Sequence, residues 1–201
     1  CHFPKHGDID GIVYTWQAYA DSIQAHPGWH PFNYLNNSYH RDADMDNMID
    51  CATTLMLSPG VAQIFYGDET RRPLSDARLN VDSAQAFRSD MNWDSTDSMP
   101  LKHFRRLGNI RKSHPSIGMG RQATIDTHTC VRTLPVDTVV IRVKPIDGKP
   151  ILLGDAFPDG TEVTELYTGS RAIVHRGRVS FPRYDNRIAI VAKRSGMDFV
   201  N

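Results

Sequence analysis

The chain has 201 residues, with 23 basic side chains against 23 acidic ones and 40% hydrophobic content. That balance fits an ordinary globular protein and gives no charged stripe for a phosphate backbone, so nucleic acid is excluded as a partner. The longest apolar runs, such as 138–143, fall far short of the ~20 residues a membrane-spanning helix needs, so no membrane partner is expected.

Cys1 stands where a Met would start translation, so the sequence is expected to be processed or to begin partway through a longer chain. The three cysteines, Cys1, Cys51 and Cys130, have no metal-ligand spacing, and their odd number excludes a fully paired intrachain framework. Cys51 lies in an apolar helical pattern and reads as a buried free thiol.

Val13, Trp16, Ala20 and Ile23 recur at helical spacing, and His26-Pro27-Gly28 ends that amphipathic helix. Phe32 to Leu35 suits a short strand, followed by a polar loop from Asn36 to Asp44. Met45, Ile49, Ala52 and Met56 share one face of a second helix, which Asp44 is placed to cap and Ser58-Pro59-Gly60 to stop. Val61 to Tyr66 is a compact apolar run with strand character. Strand, helix and strand make a parallel crossover unit. Residues 70–99 read as an excursion loop, after which Pro100 opens a helix with Leu101, Phe104 and Leu107 inside and His114-Pro115 at its end.

Beyond Ile117 strand-like runs alternate with turn clusters such as Ile146-Asp147-Gly148, Pro158-Asp159-Gly160 and Arg176-Gly177. The clearest strands are 138–143, 151–154, 162–166, 179–181 and 188–191, spaced as in a small antiparallel sandwich. A boundary near residue 118 therefore separates residues 1–117 from an all-β part, residues 118–201.

The run from Thr53 to Glu69, TTLMLSPGVAQIFYGDE, resembles the segment of glycoside hydrolase family 13 that joins the seventh barrel helix to the eighth strand. Three further pieces keep the family's order: Tyr14 to Ala20, Arg88-Ser89-Asp90-Met91-Asn92-Trp93, and His114-Pro115-Ser116-Ile117-Gly118. Together they are similar to bacterial periplasmic α-amylases, with motif strength over about residues 12–120. The resemblance implies a fold of α/β plus all-β type: the last strand-helix units of a (β/α)8 TIM barrel, then an antiparallel β-sandwich. It also implies an α-glucan or maltooligosaccharide ligand, no cofactor, and a periplasmic or secreted location.

In that family an Asp nucleophile follows the fourth strand, a Glu acid/base the fifth, and a stabilising Asp the seventh. Retaining hydrolysis needs two carboxyl groups about 5–5.5 Å apart. Everything recognisable here begins after the fifth strand, so no catalytic residue is assigned. Aligning Tyr34 and Ile49-Asp50 on the family pattern places Ser38-Tyr39 where a His-Asp pair belongs, and a neutral phenol cannot supply carboxylate charge. A local shift would bring His40 and Asp42 there instead. The substrate-binding candidates are Tyr39, His40, Tyr66, Asp68, Glu69 and Trp93: the aromatic ones stack on sugar rings or pack in a core, and Asp68 and Glu69 end a parallel strand, where barrel sites are built, or cap the loop.

Asp42, Asp44 and Asp46 alternate as an EF-hand loop opens, but Asn47 and Thr53 stand where its Gly and bidentate Glu belong, so helix N-terminal acids explain them better. The histidines show no His-x-x-x-His helical pair, and no metal site is expected. Two readings remain open: a segment of an α-glucan hydrolase, inactive alone and completed by barrel polypeptide from the same or another chain, or a non-catalytic relative with an interaction or sugar-binding role. A free-standing carbohydrate-binding sandwich is weaker, because residues 121–194 contain no Trp.

Overall fold

The computed structural model describes residues 9–29, 31–36, 46–74 and 86–193. Helix α1 (Ile12–Ala25) forms where the sequence spacing requires it, with Ile12, Val13, Trp16 and Ala20 buried. Strand β1 (Phe32–Tyr34) pairs in parallel with β2 (Val61–Gln63), Phe32 opposite Val61. The crossover between them contains α2 (Met48–Met56). α2 is buried on almost every side: Met48, Cys51, Ala52, Leu55 and Met56 all enter the core, so the expected Ala52 and Met56 are inside, whereas Ile49 is only half-buried, and Met45 and the proposed cap Asp44 lie outside the described residues. α3 (Met99–Ser113) packs on α2, and both share one core with residues of the antiparallel sheet, so more than one helical face is covered.

After α2, Gly60 sits at φ +85°, and a Cβ there would stand 2.3 Å from Pro31 Cγ. Only glycine permits that approach. Strand β2 ends at Gln63 rather than Tyr66, because the chain enters the turn of Gly67 (φ +83°) three residues later and the 64–66 backbone has no second strand to follow. A 3-10 turn at Trp93–Ser95 breaks the excursion loop. Ser98 then caps α3, its hydroxyl accepting from the Leu101 N–H at 3.3 Å, and Pro100 occupies the first turn, where a missing N–H costs nothing. Pro100, His103, Phe104, Leu107 and Ile110 face inward, and a one-turn helix α4 (Ser116–Met119) follows.

The remaining elements are strands β3 (Arg121–Asp126), β4 (Thr129–Leu134), β5 (Asp137–Val143), β6 (Ile151–Leu152), β7 (Glu162–Glu165), β8 (Arg171–Ile173), β9 (Arg178–Val179) and β10 (Ile188–Lys193). Six form one antiparallel sheet in the order β3-β4-β5-β10-β7-β8, while β6 and β9 pair separately. β3, β4 and β8 went unread in the sequence because polar residues interrupt them. β6 and β9 are shorter than the 151–154 and 179–181 runs, since Leu153 and Phe181 turn into the core outside any ladder.

Alternation along β5 divides the interior. Val139, Ile141 and Val143 join Trp16, Leu55, Phe104 and Leu107 in a core shared with the helices, and Val140 joins Phe157, Val179 and Phe181 in a second core on the sheet's other face. The helical part and the sheet are therefore welded together. Two guanidiniums, one buried and one half-buried, strengthen the weld at the C-terminal end of α2, whose last carbonyls have no helical partner. Arg111 Nη1 donates to Met56 O and Ser58 O, both at 2.8 Å, and Arg132, 0% exposed, donates to Leu57 O, Ile117 O and Gln122 Oε1. Burial lowers both pKa values, that of Arg132 to about 10, yet both stay charged at neutral pH, and a cation complements the negative end of a helix dipole.

Candidate functional site

In a parallel sheet, side chains that act on ligands gather beyond the carboxyl ends of the strands. Here those ends are Leu35-Asn36 after β1 and Ile64 to Glu69 after β2. Asn36, 1% exposed, donates from Nδ2 to Asp68 Oδ1 at 2.6 Å, and Asp68 Oδ2 accepts from the Phe65 N–H at 3.2 Å. Asp68 is itself 1% exposed. Its carboxylate ties the ends of the two strands together, a bracing role that charge-assisted hydrogen bonds perform well.

The turn that follows is built around Arg72, also fully buried. Its Nε donates to Tyr66 O at 3.2 Å, Nη1 to Ser89 O at 3.0 Å and Nη2 to Phe87 O at 2.6 Å. The guanidinium also lies 4.5 Å from the centre of the Tyr66 ring, whose hydroxyl donates to Ser89 O at 3.3 Å. Gly67 makes this possible: beyond its positive φ, a Cβ there would meet Arg72 Cβ at 2.5 Å. Thr70 and Asn92 close the loop reciprocally, Thr70 Oγ1 to Asn92 Oδ1 at 2.7 Å and Asn92 Nδ2 to Thr70 O at 2.9 Å. The excursion after β2 is thus pinned from both ends.

Tyr66 is 47% exposed and Trp93 is 74% exposed, so both offer ring surface to solvent. Glu69 is half-buried, with its carbonyl accepting from Ser98 Oγ at 3.2 Å and its Oε2 shielded from water and unpartnered among the described residues. It lines a groove of about 380 Å³ with Ile64, Phe65, Tyr66, Leu101 and Phe104. Tyr39 and His40, together with Ser38, Asp42 and the expected seventh-strand pair, lie outside the described residues. Of the sequence candidates, the structure thus brings Tyr66, Asp68 and Glu69 into one turn, with Trp93 on the loop that this turn anchors. Arg72, Asn36 and Asn92 were missed. Asn92 stands inside the Arg88–Trp93 motif, but nothing marked Arg72 among the exposed-looking charges of 68–72.

No group of three His, Cys, Asp or Glu side chains suited to a metal ion occurs among the described residues. Among them, too, no helix is long and apolar enough to cross a membrane. Cys51 and Cys130 are buried and form no disulfide, and burial raises the Cys130 pKa to about 11, which keeps it protonated and inert.

A parallel strand-helix-strand unit, a further helix and an antiparallel sheet, joined in that order, define the class: the chain resembles the carboxyl-terminal part of a family 13 α-amylase. It is 35% identical over 114 residues, 55% of its length, to the periplasmic α-amylase of Escherichia coli (strain K12), and the match takes in 16% of that relative. Among solved structures it is similar in fold to an α-amylase from Geobacillus thermoleovorans crystallised with acarbose (TM-score 0.64, 13% identity, 95% of this chain and 46% of that one). An Anoxybacillus α-amylase is similar to the same extent (TM-score 0.63, 16% identity, 92% of this chain and 46% of that one). The chain therefore spans less than half the length of these structures. No protein-family profile matches it.

Proposed function

We propose that the chain is a segment of an α-amylase-like glycoside hydrolase acting on α-glucans, and that these 201 residues do not hydrolyse a glycosidic bond alone. The observation carrying this reading is the β1–α2–β2 unit with its SPGVAQIFYGDE turn, in a chain 35% identical to an α-amylase over 114 residues. Residues 1–117 form the last units of a (β/α)8 barrel and residues 118–201 a β-sandwich. Missing barrel polypeptide covers β2, where Val61, Ile64 and Tyr66 are 48%, 41% and 47% exposed; parallel strands are ordinarily buried on both faces. Among solved relatives in fold, AmyP has been crystallised with maltotriose (TM-score 0.58), which supports a sugar ligand here. Tyr66 and Trp93 stack on it, joined by Tyr39, His40 and Glu69, while Asp68 holds the turn in place. The name of the curated relative supports a periplasmic or secreted location.

Hydrolysis with retention needs two carboxyl groups about 5–5.5 Å apart, and Asp68 is occupied as a brace. Purified chain incubated with starch and with maltoheptaose should release no reducing sugar above a buffer control. Release that co-purifies with the chain and is lost in Asp68→Asn or Glu69→Gln would overturn the reading.

A further inference from the structure

The antiparallel sheet carries a second, unrelated feature. An open groove of about 630 Å³ is lined by Ala172 and Ile173 of β8, by Arg178 and Val179 of β9, and by His175 and Arg176 between them. No acidic side chain lines it. Asp159 accepts from the backbone N–H groups of Arg176 at 2.8 Å and Gly177 at 2.9 Å, which fixes the turn; these bonds, joined by the charges of His175 and Arg176, hold its carboxyl below the usual range. Arg176 (φ +51°) and Gly177 (φ +66°) form the tight left-handed turn that this anchoring requires. The exposed cations are thus set on a rigid tip.

The groove is also bordered by open strand edges. Among the described residues β8 is the last strand of its sheet, and β9 pairs with β6, with its Arg178 also bridged to His175 across the turn. Val174 exchanges backbone hydrogen bonds toward β7, donating to Thr161 O and accepting from Gly160 N, both at 2.9 Å. Antiparallel geometry alternates these directions, so the N–H and C=O of Ile173 point off the sheet, and its side chain is 66% exposed. An open edge, an exposed β-branched side chain and three basic side chains in a groove with no acidic lining residue describe the surface to which an extended chain adds as a strand.

We propose that this groove docks an extended acidic polypeptide segment, which pairs with the outer edge of β8 and sets its carboxylates against His175, Arg176 and Arg178. A small anion would use the cations but leave the edge and Ile173 idle. The proposal does not rest on the glucan reading, and neither its success nor its failure bears on hydrolysis.

Fluorescence anisotropy of the full 201-residue chain with a labelled peptide of alternating Glu and Val, about eight residues long, tests it. Binding should weaken at least about tenfold in the double variant Arg176→Glu with Arg178→Glu, and comparably in Ile173→Pro, which removes an outward N–H without touching the ladder to β7. A peptide with Lys in place of Glu should not bind. Where a variant does not melt cooperatively, amide exchange at Ile173 in the unaltered chain decides, since added peptide should slow it. Equal binding of the Lys peptide, or no slowing at Ile173, would overturn the proposal. So would a sulfated oligosaccharide that competes fully while Ile173→Pro binds the peptide normally.

Discussion

The parallel pair and the six-stranded antiparallel sheet are both built on apolar strand residues and meet very different surroundings. In the antiparallel sheet, β10 is buried along all but its last residue and β5 at Val139, Val140, Ile141 and Val143, because helices cover one face and the β6–β9 pair covers the other. In the parallel pair, β2 has two of its three residues exposed, and apolar Ile64 and Tyr66 follow it into solvent. The difference teaches that strand character in a sequence specifies an intention to be covered, and that only tertiary partners fulfil it. The antiparallel sheet has both faces covered by these residues; the parallel pair does not.

Substitutions at the weld between the two regions should break the comparison hardest. Arg132→Ala would leave the carbonyls of Leu57 and Ile117 and the amide of Gln122 without their shared donor, an expected loss of about 3–5 kcal/mol. Urea unfolding followed by circular dichroism checks it, and a loss under about 1 kcal/mol would mean that water replaces the guanidinium freely.

A second effect comes from His103, 1% exposed, whose Nε2 lies 2.8 Å from Thr53 Oγ1 and whose Nδ1 lies 2.7 Å from the Tyr167 hydroxyl. Burial lowers its pKa from 6.5 to about 4, partly offset by a hydrogen bond with the Ile49 backbone. Between those values the unfolded chain binds a proton that the folded chain does not, so stability is complete above pH 6.5 and falls as the pH drops toward 4. The expected loss is about 3 kcal/mol. It should appear as a lower urea midpoint at acid pH, with a shallower dependence in His103→Gln.

Asp68→Ala should act within the parallel region alone. Removing the brace between Asn36 and Phe65 is expected to cost about 2 kcal/mol and to speed amide exchange in 64–72 while leaving β5 unchanged. The smallest effect belongs to Trp93→Ala: a ring 74% exposed contributes within about 0.5 kcal/mol to folding. Loss of maltoheptaose binding without loss of stability would sharpen the view of Trp93 as a stacking platform.

The same contrast explains what was legible in advance. α1 and α3 were readable because most of their apolar spacing and their terminal signals, Pro27-Gly28 and Pro100, agree with their burial, Ile23 and Leu101 being only half-buried. β3 and β4 were not, because Gln122 and Arg132 are polar residues that face inward and satisfy one another there, a pairing that no periodicity displays. In the turn after β2, Asp68 and Glu69 stood out by position at a strand end. Their unequal fates, one a buried brace and one half-buried at a groove, depend on Asn36 and on the loop closed by Asn92, partners 32 and 22 residues from the atoms they bond.

Sedimentation velocity of the isolated chain, paired with a thermal melt, tests the central claim most directly. A parallel pair left open at β2 should drive self-association that grows with concentration, and because α2 shares its core with the antiparallel sheet the chain should melt in one transition whose midpoint moves with concentration. A monomer at every concentration, with a midpoint that does not move, would contradict the claim and mean that residues 1–117 close on themselves.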